Sequence, residues 1–373
     1  MKSRRKKVWI MNMGIMLISF VLIVLSAEFF VRLYLGKEPQ NEGRLLKTPR
    51  IPIGFQGNEG YNSVFIKNND VITRGGKAHI NNVGLRDEKN RQIAKPENIV
   101  RIAFFGDSHT FGHGNDNADT YPAQLEKILN SKNRAAKKIE ILNFGVSGFN
   151  TIQEYIYLRR FGIKFHPDIV LFQWLYDDYM SKGYQLGDLD KIARGQTLVR
   201  ETNDGRKYET TTADNFFATI KLWIRTHSDL YSYIIGPRLI ELYGRHFDLN
   251  KVSGESFFSN ISSPGAKICF QSTLSSADFC KANGIEFGVF IMPALKSLNL
   301  NFHEDHIYLK YENFCKKNHI PILNLFKTEF MGRDASKLIV SKRDIHPNAL
   351  GQHLVATGLS NWIQDYWMRQ NEF

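Results

Sequence analysis

The segment Ile102-Ala-Phe-Phe-Gly-Asp-Ser108 constrains the fold more than any other stretch of the chain. Four apolar residues run unbroken into Gly-Asp-Ser, which suits a short strand buried on both faces. The run predicts a strand over about Val100–Phe105. Gly106 can take the backbone geometry of an abrupt exit. Ser108 then falls just past the carboxyl end of the strand, where open α/β sheets hold their ligands. A serine in that place becomes a nucleophile only with a base, an orienting acid and donors for an oxyanion.

Further runs of the same kind follow, separated by stretches of helical period. Ile139–Phe144, Asp168–Trp174, Ile285–Met292 and Ile320–Phe326 read as strands. Pro122–Asn130, Thr151–Phe161, Ser272–Asn283, His306–Asn318 and Asn348–Trp367 read as helices. Strands alternating with helices predict an α/β fold, a parallel sheet covered on both faces. About ninety residues, 179–268, separate the third strand from the fourth as an insertion with an aromatic-rich helical piece, Phe216–Tyr243. It reads equally as a lid or as an extra packing module. Before the sheet, Ser63–Lys67, Val71–Thr73 and Ala78–Asn81 look like short strands, and nothing in that preamble demands chemistry.

The N-terminus carries a different signal. Residues 2–7 are basic apart from Ser3, and Val8–Ala27 is apolar, interrupted by Asn12, Ser19 and Ser26. Twenty helical residues span about 30 Å, the thickness of a hydrocarbon core. The basic flank predicts a cytoplasmic N-terminus, with the bulk of the chain in the periplasm or outside the cell. A cleaved signal peptide is the competing reading, with Leu25-Ser-Ala27 as its cleavage candidate. The helical pattern continues through Leu35, which favours an uncleaved single-pass anchor. The expected organisation is therefore a basic tail and transmembrane anchor (1–35), a linker and accessory segment (36–97), and an α/β domain (98–368).

With 43% hydrophobic residues among 373, the chain can build a substantial core, which excludes a disordered protein. The net charge is +12; without Lys2, Arg4, Arg5, Lys6 and Lys7 the remainder carries +7. No dense Lys/Arg stripe with interleaved aromatics occurs, so nucleic acid is not an expected partner. Cys269, Cys280 and Cys315 lack metal-site spacing. On one helix, Cys269 and Cys280 would stand roughly 16 Å apart, too far for a disulfide. All three read as buried apolar side chains.

Three segments carry a resemblance. Gly106-Asp-Ser-His-Thr-Phe-Gly112, Asn143-Phe-Gly-Val-Ser-Gly-Phe-Asn150 and Asp344-Ile-His-Pro-Asn-Ala-Leu-Gly351 resemble, in order, the first, second and last motif blocks of the SGNH/GDSL hydrolases. The match spans roughly residues 98–368. The resemblance implies a flavodoxin-like three-layer α/β/α sandwich with a five-stranded parallel sheet, and acyl-ester chemistry without metal or cofactor. It implies Ser108 as nucleophile, His346 as base and Asp344 as the acid that orients His346. Asp344 stands two residues before His346, where three is the commoner family spacing. His109, His113 and His353 read as bystanders.

The implied oxyanion donors are the N–H groups of Ser108 and Gly148 and an Asn side chain after the third strand. Here Asp177 takes that Asn position, and an ionised carboxylate cannot donate. Three readings stay open. Asp177 is protonated by burial and donates, Asn150 substitutes from the neighbouring loop, or the enzyme is slow or inactive on ordinary esters. The functional expectation is a membrane-anchored esterase acting on an acylated, O-acetylated above all, glycan or lipid of the cell envelope. The alternatives are an O-acyltransferase of surface polysaccharide using the same residues, and an inactive envelope protein that keeps the fold. The oligomeric state is not legible.

Overall fold

The first helix, α1, runs Lys2–Leu35. Within it Met11–Phe30 is long and apolar enough to cross a membrane, and side chains such as Ile18, Phe20 and Phe29 are exposed. The computed structural model describes residues 2–35, 68–73, 76–132, 137–179, 189, 194, 264–295, 298, 304–341 and 344–368. The chain divides into two compact units, residues 1–43 with 209–249 and residues 44–208 with 250–373. Helix α1 is the described part of the first, and the elements below belong to the second. The candidate strand Ser63–Lys67 and the helical piece Phe216–Tyr243 lie outside the described residues.

Five parallel strands form the central sheet. They are β3 (Ile99–Gly106), β4 (Lys138–Gly145), β5 (Ile169–Trp174), β6 (Glu286–Ile291) and β7 (Ile322–Asn324), in the order β4-β3-β5-β6-β7. Counted along the chain this is 2-1-3-4-5, the doubly wound order of flavodoxin-like sheets, as the motif resemblance implies. The strands read as continuous apolar runs because both faces are covered. On one face Phe105, Phe144, Phe172 and Trp174 pack against α4 (Thr151–Arg160), α5 (Pro264–Ala282) and α6 (Glu304–Lys317). On the other, Ile102, Phe104, Ile141 and Leu171 pack against α3 (Tyr121–Lys132) and α7 (Ala349–Ile363). The result is a three-layer α/β/α sandwich.

Several boundaries differ from the sequence expectation for identifiable reasons. Helix α5 starts at Pro264, not near Ser272; proline at a first helical position needs no N–H partner and its φ is already helical. The edge strand β7 keeps only three residues of the expected seven, and short edges leave fewer unpaired backbone groups. The last helix stops at Ile363 and closes in a wide turn, Gln364–Met368, that buries Trp367. All three cysteines are free and buried, with Cys269 and Cys280 on α5.

The preamble is built into the sheet domain. A hairpin of β1 (Asn69–Thr73) and β2 (Gly76–Ile80) leads into Asn81–Asn98. Arg101 on β3 is fully buried; it pairs with Glu140 at 2.5 Å and donates to the carbonyls of Gln92, Ile93 and Phe165. Arg91 donates to Asp87, Glu126 and Glu140. Burial works against the Arg91 cation, but the three carboxylates outweigh it and raise its pKa above the ordinary arginine value. These pairs staple the preamble across β3, β4 and α3.

Candidate active site

At the carboxyl end of the sheet, Gly106 of β3 and Gly145 of β4 face each other in register. A Cβ on Gly106 would stand 2.0 Å from Thr110 Oγ1, and one on Gly145 would stand 2.3 Å from the Phe111 backbone nitrogen. Those missing side chains let the next segment fold straight back onto the strand ends. It forms a single helical turn, α2 (Ser108–Phe111), closed by Gly112 at φ +84°. Asp107 caps it: Oδ1 accepts the His109 N–H at 2.7 Å. Ser108 is thus the first residue of a turn held against two strands.

A buried polar network supports that turn. Gln173 Oε1 accepts from the Thr110 hydroxyl at 2.9 Å and from the Asp107 N–H at 3.3 Å. The Tyr121 hydroxyl donates to Thr110 Oγ1 at 2.9 Å. Gln352 of α7 accepts from the Tyr121 N–H at 2.7 Å and donates to the His109 carbonyl at 3.2 Å. Arg86 closes the loop that follows. Its guanidinium donates to the carbonyls of Phe111, Gly112 and Asn115 and to Asn117 Oδ1. Burial among neutral acceptors pushes the Arg86 pKa down to about 9. The preamble, whose sequence demands no chemistry, therefore supplies the buried arginine behind the Ser108 loop.

The base and acid arrive on a hairpin absent from the sequence expectation. Strands β8 (Ile339–Ser341) and β9 (Asp344–Pro347) pair antiparallel. Alternation along β9 turns Asp344 and His346 to one side and exposes Ile345 on the other. Asn115 Nδ2 donates to the Pro347 carbonyl at 2.8 Å, tying the hairpin to the Ser108 loop. Asn348 then caps α7, accepting from the Leu350 and Gly351 N–H groups.

The three side chains meet. His346 Nε2 lies 2.7 Å from Ser108 Oγ, and His346 Nδ1 lies 2.5 Å from Asp344 Oδ1. The same Asp344 oxygen accepts the His346 backbone N–H at 3.1 Å, which fixes the ring's tether as well as its tilt. The two-residue spacing is thus sufficient. Burial lowers the His346 pKa from its ordinary value; the Asp344 hydrogen bond opposes this, and the nearby His109 charge adds to it. Such a ring is neutral near pH 7 and can accept a proton from the hydroxyl.

The sequence treated His109 and His113 as bystanders, yet their ring centroids stand 5.0 and 4.9 Å from that of His346. Their closeness to Ser108 in sequence was the signal available. His353 bonds to Gln124 instead.

The candidate oxyanion donors are placed as follows. Gly148 is exposed at φ +77°, and an added Cβ would meet nothing within 4 Å, so the space before it is open. Asn150 is buried and caps α4: Oδ1 accepts the Gln153 N–H, and Gln153 Oε1 accepts the Asn150 N–H. That box commits its oxygen to the helix. Asp177 lies on the helical turn Tyr176–Tyr179, and its side chain falls outside the described residues. Its neighbour Asp178 is buried and accepts the Leu175 N–H at 2.8 Å. Among the described residues, no group of three His, Cys, Asp or Glu is placed to hold a metal ion.

No protein-family model and no curated protein matches the sequence. Solved structures similar to the chain include the lipase/acylhydrolase from Enterococcus faecalis, at 10% identity over 71% of this chain and 96% of that one, TM-score 0.40. The psychrotrophic esterase EstA from Pseudoalteromonas is similar at 11% identity over 73% and 99%, TM-score 0.40. A GDSL-like lipase from Bacteroides thetaiotaomicron is similar at 14% identity over 71% and 88%, TM-score 0.33. The chain's own likeness to the SGNH/GDSL hydrolases lies in three motif blocks, the 2-1-3-4-5 sheet and the meeting of Ser108 with His346.

Proposed function

We propose that this protein is a serine esterase of the SGNH/GDSL type, tethered to a membrane by α1, that cleaves O-acyl esters of an envelope glycan or lipid. One observation carries the reading: a hydroxyl and an imidazole nitrogen 2.7 Å apart, with a buried carboxylate on the other ring nitrogen. Ser108 Oγ attacks the ester carbonyl as its proton passes to His346 Nε2. Asp344 holds the ring and stabilises the imidazolium. The N–H groups of Ser108 and Gly148 face the developing oxyanion. The proton then leaves with the alcohol, and water, deprotonated by the same ring, releases the acid from Ser108.

The basic residues at the start of α1, ahead of its apolar stretch, support a cytoplasmic N-terminus and an envelope-facing domain.

The test is acetate release from O-acetylated polysaccharide and from a nitrophenyl acetate by the full chain in detergent. Ser108→Ala and His346→Ala should each lower kcat by about 10⁴-fold or more. Unchanged acetate release by Ser108→Ala would refute the reading. Acetylated acceptor sugar in excess of free acetate would instead assign the same residues to acyl transfer.

A further inference from the structure

The chain holds two Asp-x-His units of the same local form, one carrying His346 and the other spanning Ser108 in sequence. In the first, Asp344 Oδ1 accepts the His346 backbone N–H at 3.1 Å and faces its Nδ1 at 2.5 Å. In the second, Asp107 Oδ1 accepts the His109 backbone N–H at 2.7 Å and faces its Nδ1 at 3.1 Å. The rings of His346 and His109 are 5.0 Å apart, centroid to centroid. Only the first unit has a role in the chemistry above.

We propose that Asp107 and His109 form a second carboxylate–imidazole pair that acts on His346 across this ring contact, making His109 a positioning residue for the general base. The proposal rests on the reading of His346 as that base.

The pair is built to hold a proton. Asp107 and His109 side chains are 8% exposed each, against 20% for His346. Burial pushes the Asp107 carboxyl up, yet the His109 charge and the two hydrogen bonds from His109 outweigh it, and the pKa falls below the ordinary value. A deeply buried carboxylate that stays ionised calls for a cation beside it, and the His109 ring is the group in contact. Two imidazolium ions about 5 Å apart repel even where solvent screens them. The His109 charge therefore lowers the His346 pKa, and His346 takes up its proton at lower pH than it would without that neighbour. The charged and titratable groups facing His346 among the described residues are Asp344 on its own strand, Asp107 and His109 on the Ser108 turn, and His113 just after it. His113 is as near as His109, at 4.9 Å, but is not part of the carboxylate pair.

The consequence is functional. A base relieved of its proton to lower pH keeps the Ser108 hydroxyl activated in mild acid. The contact also bars the His346 ring from swinging toward His109, which keeps Nε2 on Ser108 Oγ.

The test is an NMR titration of the imidazole nitrogens in the full chain in detergent, with the His346 signals assigned through His346→Asn. His109→Gln and His109→Phe remove the second cation but leave the backbone N–H that Asp107 caps. In both, the His346 midpoint should rise by about half to one pH unit. His113→Gln should move it less. The acid limb of the Ser108 reaction with a fluorophosphonate should rise in step. Circular dichroism identifies a variant that fails to fold; Gln, small and polar, backs up Phe. An unmoved His346 midpoint in a folded His109 variant would overturn the proposal. Loss of the esterase reading has a different signature: the midpoint shifts, but no fluorophosphonate reacts with the wild type at any pH.

Discussion

Gly106 and Gly145 lie side by side on β3 and β4, and the turn carrying Ser108 occupies the space their side chains would fill. The nucleophile's position thus depends on two absent methyl groups. Gly145→Ala would press a Cβ to 2.3 Å from backbone nitrogen, which cannot swing away as a flexible side chain can. The variant should lose about 1–3 kcal/mol of stability. Its surviving folded fraction should show a kcat at least tenfold lower, since a shift of about 1 Å in a reacting group costs up to 100-fold. Denaturant unfolding followed by kinetics at matched folded concentration checks both.

The proton affinity of His346 predicts the pH profile. Its folded pKa is lowered, chiefly by burial. The base is active when neutral, so activity should rise with pH through a midpoint below the ordinary histidine value of about 6.5 and be flat above it. A kcat/KM profile from pH 4 to 8 reads the midpoint directly.

Arg86 predicts a stability effect. Its guanidinium satisfies three carbonyls and the Asn117 side chain in a buried loop. Arg86→Ala strands those acceptors, at about 1–3 kcal/mol for each left unsatisfied. The urea midpoint should fall sharply, and Arg86→Lys should recover only part, because a single ammonium cannot span the same fork.

Acid should weaken the edge of the sheet through Glu312 on α6. Burial raises its pKa, but hydrogen bonds from Asn324, Lys316 and Lys327 outweigh this and hold it down to about 2. A depressed carboxylate stabilises the fold fully above its unfolded pKa and loses that contribution as pH falls through the folded value. Glu312→Gln should therefore lower Tm at neutral pH, with the gap closing between about pH 4.5 and about 2. A gap that widened in acid would reverse the sign of this assignment.

Much of the fold was legible because parallel strands buried on both faces leave unbroken apolar runs. Ile102–Phe105 and Ile169–Phe172 are such runs, and their exits mark the site. The hairpin β8–β9 was not legible, since strands of three and four residues show no periodicity. Yet it is this hairpin that turns Asp344 and His346 the same way. Asp107 was visible only as a motif letter; its bonds to His109 depend on the cap geometry of a four-residue helix. Arg86 and Arg101 were hidden because charge in a sequence reads as surface, whereas here carbonyls and Glu140 satisfy it inside. The Gln153 three residues after Asn150, which completes a capping box with it, was a cue to the start of α4 that the sequence carried.

The most direct measurement is the mass of the full chain after exposure to a fluorophosphonate near pH 7, with the modified peptide sequenced. A single adduct on Ser108, abolished in Ser108→Ala and slowed by orders of magnitude in His346→Ala, is the predicted result. An adduct on another residue, or labelling indifferent to His346, would contradict the pairing on which the enzymatic account stands.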